Sequence, residues 1–229
     1  MMIVTGTSRG IGRSLAHYYV EKGFQVIGCS RTLPDFQFSN YHHYCLDVSD
    51  EAAVKEMFMD IGRNWQRLDV LINNAGVQAV NYVLLTPLST VQKVFNTNMA
   101  GTFLFCREAV KLMKRNVFGR IINLSTVAVP LCSTGSAIYG ASKSAIEQFS
   151  RVLANEVAAD GITVNTVGLS ITRNSGMADK LSEKAVSEAL SNLVFKSPLD
   201  MEDVVNALDF FILETSRMIT RQTLYLGGI

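Results

Sequence analysis

Met1-Met2-Ile3-Val4-Thr5-Gly6-Thr7-Ser8-Arg9-Gly10-Ile11-Gly12 starts as a short apolar run, becomes polar and glycine-rich from Thr5, and is followed by Leu15, Ala16, Tyr19 and Val20 at helical spacing. That order reads as strand, Gly-rich turn, helix. Glycine lets the chain turn with φ > 0 and lets a ligand come close to the backbone, while the unpaired N–H groups opening the helix attract an anion. The stretch therefore predicts a phosphate cradle at the head of a βαβ unit.

Working outward, Gln25–Cys29 forms a second strand after Gly23 and ends at Ser30-Arg31. In dinucleotide-binding βαβ units an acidic residue about 20 positions past the Gly-rich turn holds the adenosine ribose hydroxyls, whereas an arginine suits a 2′-phosphate. Here Arg31 occupies that region and Arg9 lies inside the turn. Two guanidiniums grip a phosphate through forked hydrogen bonds, which favours NADP(H) over NAD(H).

Further strands follow at Tyr41–Cys45, leading into Asp47-Val48, at Asp69–Ile72, ending in Asn73-Asn74-Ala75-Gly76, at Gly119–Thr126, ending in two hydroxyls, and at Ile162–Thr166. Helical periodicity separates them. Ala53, Val54, Met57, Phe58 and Ile61 recur after Ser49-Asp50-Glu51, and Leu88–Arg115 reads as one long helix containing Asn98, with Gly101 as a kink. A helix from about 138 to 159 ends near Gly161, a C-cap residue. Strands alternating with helices at this regularity imply a Rossmann-like, doubly wound parallel α/β sheet of about seven strands, helices on both faces and ligands at the strands' carboxyl ends.

Within the helix after the fifth strand, Tyr139-Gly140-Ala141-Ser142-Lys143 puts a phenol and an ammonium at i and i+4, on one helical face. Free tyrosine loses its proton near pH ~10, and a positive charge within about 4–6 Å lowers that value. This pair is the candidate proton donor.

Composition narrows the partners. The 229 residues contain no linker-like composition shift, so one domain, 1–229, is expected. Charged residues make up 18% and the net charge is +1, which excludes a general nucleic-acid or anionic-membrane partner and points to small molecules. The strand-like run from Met1 and the shortness of the apolar runs suggest a soluble, cytoplasmic protein without a signal peptide. Cys29, Cys45, Cys106 and Cys132 are far apart and read as reduced, mostly buried thiols. His17, His42 and His43 lack companions at ligand spacing, so no metal site is expected.

Taken together, Thr5-Gly6-Thr7-Ser8-Arg9-Gly10-Ile11-Gly12, Asn73-Asn74-Ala75-Gly76 and Tyr139-Gly140-Ala141-Ser142-Lys143 resemble, in order and spacing, the three motifs of the short-chain dehydrogenase/reductase family. Pro198-Leu199, the helix through Val204, Phe210 and Leu213, and the strand ending in Leu226-Gly227-Gly228 resemble its closing elements. The resemblance implies catalytic roles for Tyr139 as general acid, Lys143 as the group that tunes it and holds the nicotinamide ribose, and Asn98 as the support of Lys143. It implies cofactor contacts from Gly6, Ser8, Arg9, Gly10, Ile11, Gly12, Arg31, Asp47, Val48, Asn74, Ala75 and Gly76, with Thr172 as a further contact.

Two departures stand out. Thr126, 13 residues before Tyr139, takes the position of the family's substrate-orienting serine, and Leu169-Ser170 stand where the family has Pro-Gly. The methyl of Thr126 narrows the pocket while keeping the hydroxyl. The family also implies a homodimer or homotetramer, paired through the helices about 88–115 and 138–159. A segment of about 170–196, carrying Met177, Leu181, Leu190, Leu193 and Phe195, reads as an apolar substrate lid or as packing on the core or on a partner subunit.

The expected reaction is NADPH-dependent reduction of a ketone by direct hydride transfer. The family resemblance, strongest to its 3-oxoacyl carrier-protein reductases, implies as leading substrate a 3-oxoacyl thioester on an acyl carrier protein or coenzyme A, with Lys111, Lys114 and Arg115 as a surface for an acidic carrier. The alternatives are another small ketone or alcohol (polyketide, sugar or steroid-like) or an NADP(H)-sensing regulator without turnover.

Overall fold

Alternation of side chains explains how one sheet buries both its faces. The computed structural model describes residues 1–173, 175–176 and 183–229. In it the strands β1 (Met2–Thr5), β2 (Val26–Ser30), β3 (Tyr41–Cys45), β4 (Val70–Asn73), β5 (Gly119–Thr126), β6 (Ile162–Leu169) and β7 (Thr223–Tyr225) form a parallel sheet of order β3-β2-β1-β4-β5-β6-β7. Ile3, Ile27, Leu71, Ile121 and Val164 point to one face. Met2, Val4, Val26, Ile72, Ile122 and Val167 point to the other.

Helices α2 (Glu51–Asn64), α4 (Gly101–Met113) and α6 (Ala137–Val157) cover the first face through Met57, Phe58, Phe105, Leu112 and Leu153. Helices α1 (Gly10–Glu21) and α8 (Met201–Ile212) cover the second through Leu15, Tyr19, Val204 and Leu208. The strand order reverses between β1 and β4, which opens a crevice at their carboxyl ends. Helix starts follow local chemistry: Asp50 accepts from Ala52 and Ala53 amides, and Asp200 forms a capping box with Asp203.

Two elements differ from the reading of the sequence. The expected helix 88–115 is divided into α3 (Leu88–Phe95), a π-helical turn at Asn96–Ala100, and α4. Gly101 is no kink. A Cβ there would lie 2.8 Å from Val48 Cγ2, so the glycine lets the start of α4 approach the β3 end of the sheet. The sixth strand runs three residues beyond Thr166, to Leu169, and pairs with β5 as far as Thr126. Leu169 has the N–H and the free φ that proline lacks, so the strand continues where a proline would end it.

The remaining helices are α5 (Ala128–Leu131), beside the end of β5, and α7 (Glu183–Ser191). Cys29 and Cys106 are buried, but Cys45 and Cys132 are exposed, against the expected burial. Among the described residues no helix is long and apolar enough to cross a membrane.

Candidate active site

The turn after β1 is built as its glycines predict. Gly6 and Gly10 take φ of +77° and +57°, and a Cβ on Gly12 would lie 2.3 Å from Gly6 O and 2.4 Å from Asn74 Nδ2. The Asn73–Gly76 loop is pinned to this turn. The Thr5 hydroxyl accepts from the Asn74 and Ala75 amides at 3.0 and 2.9 Å, and Asn74 Nδ2 donates to Thr5 O at 2.8 Å. The two Gly-rich segments thus form one wall of the crevice. Ser8 and Ile11 are half-buried on that wall, and Arg9, at the N-cap of α1, is exposed and leaves the cap without a side-chain hydrogen bond.

At the ends of β2 and β3 the picture is mixed. Arg31 is exposed, as a phosphate ligand must be. The Asp47 carboxyl is held below its ordinary range by the Ser49 hydroxyl and amide, with the charge of Arg31 helping. Val48 is buried against Gly101.

Tyr139 and Lys143, the candidate proton-transfer pair, lie at the carboxyl end of β5. Tyr139 is 8% exposed, and the Thr126 hydroxyl, rather than that of Ser125, is the side chain that acts on its phenol. Alternation along β5 explains the choice. Asn123 and Ser125 face α6 and bond Ser150 (2.7 Å) and Glu147 (2.5 Å), leaving Thr126 at the strand tip for Tyr139. Lys143 is buried and donates to Leu124 O at 2.7 Å, and its ammonium lies 6.0 Å from the Tyr139 ring centre.

The expected lowering of the phenol is reversed. Burial pushes Tyr139 up to about 12, with the Thr126 hydrogen bond opposing. Burial likewise lowers Lys143 to about 8, opposed by Glu147. Both shifts have one origin: a site closed on all sides disfavours each group's charged form.

Asn98 sits in the π turn, fully buried. Its Oδ1 accepts from Val77 N at 2.8 Å, and its Nδ2 donates to Val77 O and the Ser142 hydroxyl, each at 3.0 Å. A Cβ on Gly76 would stand 3.3 Å from Asn98 Oδ1 and 3.5 Å from Lys143 Nζ, so Gly76 is where the Asn98 and Lys143 groups converge. The π turn aims this side chain inward.

Other sequence candidates fall outside this cluster. Thr172 is buried, bonds Ser170 O and pairs with Leu199. Lys111 and Lys114 are ion-paired to Glu108 and Asp160 at the end of α4, by the amino end of β5, away from the crevice within this chain. In the segment read from sequence as a lid, Leu190 and Leu193 are buried and Phe195 is exposed, while Met177 and Leu181 lie outside the described residues. Glu147 was missed from the sequence, although its spacing of four from Lys143 was the available signal.

The chain is 30% identical over 231 residues, 98% of its length and 94% of the relative's, to a 3-oxoacyl-(acyl-carrier-protein) reductase, FabG, of Buchnera aphidicola subsp. Acyrthosiphon pisum. The Escherichia coli K12 protein of the same name is 29% identical over 232 residues, 99% and 95% of the two chains. Among solved structures, ElxO with NADP bound superposes with a TM-score of 0.91 at 28% identity, covering 99% of this chain and 96% of that one. The family model described as short chain dehydrogenase matches residues 1–186, and this chain belongs to that family.

Proposed function

We propose that the protein reduces a ketone to an alcohol with NADPH, and that its substrate is a 3-oxoacyl thioester carried by an acyl carrier protein or coenzyme A. The observation that carries the reading is the buried Thr126–Tyr139 hydroxyl pair with Lys143 beside it, at the strand edge that also holds the Gly-rich turn. The relatives named as 3-oxoacyl-(acyl-carrier-protein) reductases support the substrate class.

The residues present fit a phosphorylated dinucleotide. The first turn of α1 leaves N–H groups without intrahelical partners behind an open N-cap, and Arg9 and Arg31 flank it as exposed cations. Gly6, Ser8, Gly10, Ile11 and Gly12 line the pyrophosphate, Asp47 and Val48 the adenine, and Asn74, Ala75 and Gly76 the rest of the cofactor, with Thr172 as a contact further along. NADP bound to the structural neighbour supports the same cofactor here. When bound, NADPH supplies the hydride.

Every other task falls to this chain. Thr126 donates a hydrogen bond to the substrate carbonyl oxygen, and Tyr139, kept protonated by burial, gives that oxygen its proton. Lys143 holds the nicotinamide ribose and offsets the phenolate left behind, and Asn98 supports Lys143. Proton delivery of this kind contributes about 10²–10⁴ in rate. The chain works as one domain, with the segment of about 170–196 as a lid whose Leu190 and Leu193 suit an acyl chain. Two or four copies pair through α4 and α6, where Phe103 and Val152 are exposed.

The test is NADPH oxidation by the purified protein with a short 3-oxoacyl thioester, beside NADH and beside Tyr139→Phe. Turnover that prefers NADPH and falls by about 10²–10⁴-fold in the variant, with NADPH still bound, supports the reading. Binding of NADPH without oxidation by the wild type refutes the thioester assignment, and a panel of other ketones then separates a different reductase from a sensor.

A further inference from the structure

A carboxylate is buried behind the proton-transfer pair. Glu147, 3% exposed, lies one helical turn beyond Lys143 on the same face of α6. One oxygen accepts from the Ser125 hydroxyl at 2.5 Å and the other from the Tyr225 hydroxyl at 2.7 Å, so this group of α6 ties together two strands, β5 and β7. Room for it is built in. A Cβ on Gly168 would stand 2.1 Å from Tyr225 Cδ1, so the bare glycine of β6 is what lets the Tyr225 ring lie across that strand and reach α6.

A buried carboxylate costs several kcal/mol unless it is bonded and has a charge to serve. The hydroxyls supply the bonds. The groups around Lys143 are Tyr139 and Glu147 on α6, the Leu124 carbonyl on β5, and Gly76 after β4, with Asn98 of the π turn on the far side of Gly76. Of these Glu147 is the acid. Behind it Arg151 approaches at 3.6 Å but is 41% exposed, so water weakens its opposing effect.

We propose that Glu147 is a positioning residue of the active site, its carboxylate clamped by Ser125 and Tyr225 so that its charge keeps the proton on Lys143 Nζ and its bonds hold α6 in place on β5 and β7. The catalytic part of this inference rests on the ketone-reductase reading, because only there must Lys143 stay an ammonium beside a transient phenolate. Burial draws Lys143 down and Glu147 works against that pull, the two together leaving it at about 8.

The test titrates Lys143 directly in the cofactor-free protein, by NMR of ¹³Cε-labelled lysine with Lys143→Arg for assignment, in wild type, Glu147→Gln and Tyr225→Phe. The glutamine variant keeps the shape and loses the charge, and its Lys143 midpoint falls by about one pH unit. Tyr225→Phe keeps the charge, and its midpoint stays near that of the wild type while its melting temperature drops. In turnover, the alkaline limb of kcat moves to lower pH in Glu147→Gln by the same amount, which a merely structural role would not produce.

An unchanged or higher Lys143 midpoint in Glu147→Gln overturns the proposal. If that variant does not fold, the carboxyl resonance of Glu147 in ¹³C-labelled wild type decides: an inflection at the Lys143 midpoint supports the coupling, and a flat trace there overturns it. A shifted midpoint in a protein that reduces no ketone supports the coupling and rejects the reductase reading alone.

Discussion

Lys143 shows how burial sets chemistry one side chain at a time. Its ordinary value of 10.5 falls to about 8 in the fold, so between those values the unfolded chain binds more protons than the folded one. Stability therefore rises with pH through that window on account of this residue. Tyr139, raised from 10.0 to about 12, acts in the opposite sense between those two values, because there the folded chain holds the proton more tightly. Lys143→Met removes the first contribution. In urea unfolding, the stability of wild type relative to this variant is expected to improve by about 2 kcal/mol from pH 7.5 to pH 10. A constant difference across that range would show that Lys143 is not desolvated as the structure has it.

At the scale of elements, the π turn between α3 and α4 and the glycine of β6 are both local departures serving the site. Asn98 is held by three hydrogen bonds, two of them to the backbone of Val77. Asn98→Leu fills the same space and leaves that half-buried N–H and C=O without their Asn98 partners. Thermal and denaturant unfolding should show a loss of about 2–4 kcal/mol, since each orphaned group costs about 1–3. Gly168→Ala drives a methyl into the Tyr225 ring, so about 1–3 kcal/mol of stability should go with it. Adding Tyr225→Leu should recover most of that loss, and a double variant no better than the single one would mean the ring is not what the glycine accommodates.

Across the whole molecule, the crevice takes its shape from the reversal of strand order beside β1, which brings the Gly-rich turn, the ends of β2 and β3 and the Tyr139 cluster to one edge. The two cations at that edge, Arg9 and Arg31, lie on separate elements and are both exposed. Replacing both by glutamine should lower NADPH affinity by about 10²–10⁴-fold, from charge-assisted bonds worth about 1.5–3 kcal/mol each. Affinity for NADH should change little, and fluorescence titration of the two cofactors checks the pair. Equal losses for both would remove Arg9 and Arg31 from the discrimination. Arg31 also acts on Asp47, so the single Arg31→Gln should weaken NADPH binding less than the double change.

Much of this was legible in residue order because it depends on short-range rules. Period-two and period-3.6 apolar patterns marked the strands and helices, glycines marked the turn after β1, and a spacing of four put Tyr139 and Lys143 on one face. The spacing of 13 residues from Thr126 to Tyr139, set against the family resemblance, favoured Thr126 over its neighbour, and in the fold Ser125 is taken up by Glu147. Periodicity could not show the π turn, since a single extra residue in a turn leaves the apolar stripe nearly intact. Nor could it show the direction of the pKa shifts, which is set by how completely neighbouring strands and helices exclude water. The Ser125–Glu147–Tyr225 clamp lies furthest from sequence reading: its members come from β5, α6 and β7, residues distant along the chain that only the packing of β7 beside β6 brings within hydrogen-bond reach.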